Sequence, residues 1–135
     1  MDDSEIGRLL GSIKTIAVIG CSRNIEKDAY KVPQYLQRHG YRIIPVNPIT
    51  AQVLGEKSYK LASEIKDKVD IVVIFRPSED ALAVTQDILK MEDKPRLIWL
   101  QLGIQSDEAA KLAQENGMQF IQNRCIKIEH QRLLS

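Results

Sequence analysis

The residues best suited to chemistry are Gly20-Cys21-Ser22-Arg23-Asn24, which directly follow the apolar run Ile16 to Ile19. A glycine at that point lets the backbone turn tightly, and small side chains at Cys21 and Ser22 let an anion approach the amides. Those amides, the Ser22 hydroxyl and the start of a following helix could donate to a phosphate, with Arg23 adding a charge-assisted contact. The P-loop pattern of two glycines ahead of Lys-Ser/Thr is absent, and so is the three-glycine dinucleotide fingerprint, because only Gly20 is present. Proline is tolerated in the first turn of a helix and not inside it, so Pro33 predicts a helix starting near Tyr30 to Val32. A long loop from Cys21 to about Ala29 follows, unlike a dinucleotide turn. At the second strand's end the chain reads Val46-Asn47-Pro48, with no acid to accept bonds from an adenosine ribose, which weighs against NAD.

Each of these residues also has a plain structural reading. Gly20 can simply end a strand, Ser22 can cap, Arg23 and Lys31 can be solvated cations, and Asn47-Pro48 can be only a turn. Cys21 lies where amides and Arg23 could lower a thiol pKa, although a small residue that fits a loop is the commoner case. Cys125 and His130, in the tail stretch NRCIKIEH, suggest a nucleophile and base only by composition; a strand exit with Cys125 buried is the simpler reading. His39, ahead of Gly40, reads as structural, and Tyr30, Tyr35 and Tyr41 read as packing or oligomer surface rather than a stacking platform. No group of His, Cys, Asp or Glu has metal-ligand spacing.

The elements that must position these residues follow one pattern, strand then helix. Lys14–Gly20, Tyr41–Val46, Asp70–Phe75, Arg96–Leu102 and Met118–Gln122 read as strands, most of them continuous apolar runs typical of burial on both faces. Between them, helices are expected at Val32–Arg38, at Leu61–Lys66, from a Ser78 cap to about Met91, and at Asp107–Asn116 behind a Ser106 cap. The segment Ala51–Ser58 looks irregular, and a short helix is expected in the tail. Pro45 removes a ladder donor, so its amide side must face a strand end, a bulge or an unpaired edge.

At 135 residues, with 44% hydrophobic and 27% charged residues, the chain fits one domain over 1–135 with a full core. A net charge of +1 gives no global argument for nucleic acid or a membrane. No signal-peptide pattern or membrane-spanning run is evident, and two distant cysteines suggest neither a disulfide scaffold nor a metal site, so a cytoplasmic location is expected. The fold implied is α/β: a single Rossmann-like, doubly wound domain with a mainly parallel five-stranded sheet and helices on both faces. Ligands bind such sheets beyond the carboxyl ends of the strands. The places to examine are therefore Gly20–Asn24, Asn47-Pro48, Phe75–Ser78 and Gln101–Gln105.

The stretches VIGCSRN, DAYKVPQYLQRHGYRIIPVNP, VVIFRPSED, IWLQLGI and NRCIKIEH, in that order, resemble the small CoA-binding domain family. These are stand-alone relatives of the nucleotide-binding domain of the succinyl-CoA ligase α subunit. The resemblance implies that Gly20, Ser22 and Arg23, with Cys21 between them, line a phosphate turn and that Lys31 helps neutralise a phosphate. It implies that Val46, Asn47 and Pro48 border the adenosine. Phe75, Arg76 and Pro77 would lie along the nucleotide and the start of the pantetheine arm, with Gly103 and Ile104 beyond. The ligase passes a phosphoryl group through a histidine on a second domain, so that activity is not expected to carry over. The expected function is binding of coenzyme A or an acyl-CoA without catalysis, for sensing, storage or delivery. The alternative is an NAD(P)-binding or acyl-CoA-dependent enzyme. Neither a nucleic acid nor a membrane partner is expected, and so small a domain is open to homodimerisation.

Overall fold

The computed structural model describes residues 1–134. In chain order it contains α1 (Asp3–Ser12), β1 (Thr15–Ile19), α2 (Asp28–Arg38), β2 (Arg42–Val46), β3 (Gln52–Val53), β4 (Glu56–Lys57) and β5 (Ile71–Ile74). It continues through α3 (Ala81–Ile88), β6 (Leu97–Leu100), α4 (Asp107–Glu115), β7 (Gln119–Ile121) and α5 (Ile126–Leu134). Five strands form one parallel sheet in the order β2-β1-β5-β6-β7, as the apolar runs predicted.

Strand side chains alternate between two cores. Ile16, Val18, Ile43, Val73 and Trp99 pack under α1, α2 and α5. Ala17, Ile19, Ile44, Val72 and Ile98 pack under α3 and α4. Each fully buried aliphatic side chain contributes roughly 1.5–3 kcal/mol relative to exposure, so a one-residue slip of a central strand would exchange both faces at once. The register matters for function. Ile19 pairs with Val46 on one side and Ile74 on the other, so three strands end level and set Gly20, Asn47 and Phe75 side by side.

Pro45 behaves as its chemistry requires. It lies on the edge strand β2, and its carbonyl accepts from the Tyr59 amide at 3.0 Å on the side away from β1. The segment read as irregular is in fact the β3–β4 hairpin, turned through Leu54 and Gly55 at φ 56° and 76°. The segment Leu61–Lys66 holds only a 3-10 turn at Ala62–Glu64.

Two expectations about helix starts need correcting. The α2 helix begins at Asp28, and Pro33 sits inside it. Pro33 has no N–H to give to the Ala29 carbonyl, and that carbonyl instead accepts from the Ser22 amide at 3.0 Å. The helix tolerates the proline because the freed acceptor is used by the preceding loop. Ser78 does not cap α3: it opens a 3-10 turn, Ser78–Asp80, and its Oγ accepts from the Gln105 amide at 3.0 Å. Ser106 does cap α4, accepting from the Ala109 amide at 3.1 Å. The sequence reading missed α1, although Asp2 accepts from the Glu5 amide at 2.8 Å and Ile6 and Leu10 are buried one turn apart.

Candidate functional site

Strand order reverses beside β1: the chain leaves β1 for β2 on one side and returns to β5 on the other. The crevice expected at such a reversal opens above β1 and β5. Gly20 begins it at φ 83°, and a Cβ there would stand 2.7 Å from the Phe75 carbonyl oxygen. Only glycine meets both the backbone angle and that approach.

The loop after Gly20 is held by its own polar groups. The Asn24 amide donates to Ser22 Oγ at 3.0 Å, and the Glu26 amide donates to Asn24 Oδ1 at 3.1 Å. Asn47 ties this loop to the one after β2: its Nδ2 donates to the Cys21 carbonyl at 2.9 Å and its Oδ1 accepts from the Ile49 amide at 2.8 Å. The Ser22 amide is committed to Ala29, so what this residue can still offer an anion is its hydroxyl proton.

Three depressions adjoin along this edge. The central one, about 380 Å³, is lined by Gly20, Ser22, Lys27, Asn47 and Pro48. On the α3 side a second, about 340 Å³, is walled by Ile19, Val46, Leu61, Ala62 and Val84, with Lys60 beside them. On the side of α2 and α5 a third, about 630 Å³, is walled by Val32, Phe75, Ile104 and Cys125, with Lys31 and Lys127. Arg76 lines all three, held at 2.9 Å by Asp80. Gly20 and Pro48 are shared by the first two, and Phe75 and Pro77 by the central and largest.

A model of the CoA binding domain family matches residues 14–131. The chain belongs to that family. YneT of Bacillus subtilis is 37% identical over 127 residues, covering 94% of this chain and 93% of its own. The family's domain also occurs within larger proteins. The α subunit of ADP-forming acetate–CoA ligase II from Pyrococcus furiosus is 29% identical over 125 residues, 84% of this chain but 27% of that subunit. Among solved structures, cell-free ID.343 from Thermus thermophilus is 36% identical with a TM-score of 0.94, covering 99% of this chain and 100% of that one.

Against these three depressions, the predicted residues divide. Gly20, Ser22, Val46, Asn47 and Pro48 line the two smaller depressions, and Lys31 and Ile104 line the largest. Phe75, Arg76 and Pro77 stand between them. Three others lie apart. The Cys21 side chain is fully buried, and burial pushes its thiol pKa up to about 12, which overturns the idea of an activated cysteine in the turn. Arg23 is exposed and lines none of the three. Gly103 serves the turn beneath Leu102 at φ 86° and likewise lines none of them.

Sequence reasoning placed Gln101 at this edge through the Gln101–Gln105 stretch but missed Lys27, Lys60, Leu61, Cys125 and Lys127. Cys125, expected to be buried, is partly exposed. His130 is buried and remote from a nucleophile's role: Tyr35 Oη meets its Nδ1 at 2.7 Å, and burial with His39 nearby lowers its pKa. Among the described residues no cluster could hold a metal ion and no helix is long and apolar enough to cross a membrane.

Proposed function

We propose that this domain binds coenzyme A or an acyl-CoA across the carboxyl edge of the sheet, in the cytosol, and holds it without changing it. The observation that carries this is the line of three depressions meeting at Arg76, in a chain of the CoA-binding domain family. CoA has the same three-part form: a phosphorylated adenosine, a diphosphate and a long pantetheine arm. The diphosphate suits the centre, where the Ser22 hydroxyl, Lys27 and Arg76 gather. Adenosine suits the compact apolar pocket over Val46 and Pro48, with Lys60 near enough to its lip to serve a ribose phosphate. The pantetheine arm suits the largest depression, along Phe75 and Pro77 toward Ile104.

The non-catalytic part of the reading rests on the reactive groups. The Cys21 thiol is sealed in the core, and His130 is engaged with Tyr35 away from the crevice, so Cys125 is the one of the three candidate groups in the wall of the largest depression, apart from the His130 base it would need. Titration calorimetry with CoA, acetyl-CoA, NAD and NADP tests the binding. Saturable heat is expected with both CoA forms and none with NAD, because Asn47-Pro48 offers no acid to the ribose. Arg76→Ala is expected to weaken CoA about tenfold, the loss of one exposed charge-assisted contact. Binding of NADP with no heat from either CoA form would replace this reading with the NAD(P) alternative. Acetyl-CoA incubated with the protein should be recovered unhydrolysed by mass spectrometry; steady turnover would make the domain an enzyme.

A further inference from the structure

Four of the seven large apolar side chains exposed among the described residues line the three depressions of this one edge: Ile49, Leu61, Leu102 and Ile128. Isolated exposed apolar residues are common, but their gathering around one crevice is not. Leu102 and Ile128 both line the largest depression, and they are 65% and 52% exposed. They stand with Ile104 at the end away from the phosphate turn, since none of the three lines the central depression.

Both are held in place. Leu102 sits in a turn closed by the Ile104 amide on the Gln101 carbonyl at 3.0 Å, with Gly103 at φ 86°. The Gly103 amide donates to Asn123 Oδ1 at 2.8 Å, which ties the turn to the segment after β7. The same Gln101, only 4% exposed, accepts the Ile126 amide on its Oε1 at 2.8 Å and so anchors the first turn of α5, which carries Ile128. One buried residue thus links the two supports: its carbonyl closes the turn bearing Leu102, and its side chain anchors the helix bearing Ile128. Two exposed apolar groups on fixed supports lose little freedom when something covers them, so covering them is favourable.

We infer that the ligand of this site is an acyl-CoA with an apolar acyl chain, which lies against Leu102 and Ile128 where the pantetheine arm ends. This rests on the placement of CoA proposed above. Free CoA, ending in a thiol, leaves both side chains in water. Each methylene of an acyl chain that covers them adds apolar burial, raising affinity roughly twofold to fourfold per methylene until the chain passes the pair.

The test is a calorimetric series of CoA, acetyl-, butyryl-, hexanoyl- and octanoyl-CoA, on the unaltered protein and on the Leu102→Ser/Ile128→Ser double variant. Both positions are exposed, and an unchanged thermal midpoint will show that the variant folds. The expected result is an affinity at least tenfold higher for hexanoyl-CoA than for CoA, and a ratio between the two that falls to near one in the double variant. Equal affinity across the series in the unaltered protein overturns the inference and leaves CoA binding standing. A chain-length gain that survives in the double variant also overturns it, by placing the acyl group elsewhere. No binding of CoA or any thioester overturns the site itself, and the inference with it.

Discussion

The turn after β1 and the turn after β6 both place a glycine in the left-handed region, at φ 83° for Gly20 and 86° for Gly103, yet for different reasons. Around Gly20 the backbone of the next strand closes in, with the Phe75 carbonyl 2.7 Å from where a Cβ would be. Around Gly103 nothing lies within 4 Å of that position. The first turn is fixed by backbone crowding and by amides spent on internal bonds; the second stands free and is fixed by the Asn123 side chain and the Gln101 carbonyl. A crowded turn offers an anion a rigid cradle. An open one can present an apolar side chain outward. The two ends of the crevice are therefore built by opposite means, and the same glycine signature in sequence cannot distinguish them.

The comparison breaks most visibly at Gly20. Gly20→Ala adds a clash with the Phe75 backbone oxygen to the conformational strain and should cost roughly 3 kcal/mol or more, read as a lowered urea midpoint. A cost near 1 kcal/mol would mean that β5 yields and that the crowding is not essential. The two cysteines sharpen the same contrast. Cys21, sealed under the first turn with its thiol pKa near 12, should react with iodoacetamide on the order of a hundredfold more slowly than the partly exposed Cys125 near the second. Peptide mapping of a time course would show this, and equal rates would mean that the first turn opens readily. The smallest effect belongs to Gly103→Ala, where only the backbone angle objects: about 1 kcal/mol of stability.

Most of the sheet was legible because its strands are continuous apolar runs, and Ile71–Ile74 and Leu97–Leu100 admit no other reading in an α/β pattern. The ends of elements were less legible. Ser78 looked like a cap because serine before two acids usually is one, yet its oxygen was claimed by Gln105, a partner brought close only by the tertiary fold. Of the crevice, Gly20, Ser22, Pro48 and Arg76 could be named because they end strands or sit beside them. Lys60 and Leu61 could not, because the β3–β4 hairpin that delivers them carries no strong periodicity in its short strands. Cys125 and Lys127 were visible as a motif but not as a wall of the crevice, since nothing local says that α5 folds back beside β6. That placement depends on Gln101 and on Trp99, whose indole donates to the Arg124 carbonyl at 2.8 Å.

Pro33 lines none of the three depressions, yet the shape of the central one depends on an atom that Pro33 lacks. Any other residue there would restore an N–H to α2 that competes with the Ser22 amide for the Ala29 carbonyl. Part of the instruction for the turn after β1 is therefore written in the helix that follows. An engineer who grafted Gly20 through Lys27 onto another scaffold without the helix through Pro33 would transfer the letters of the turn but not its conformation.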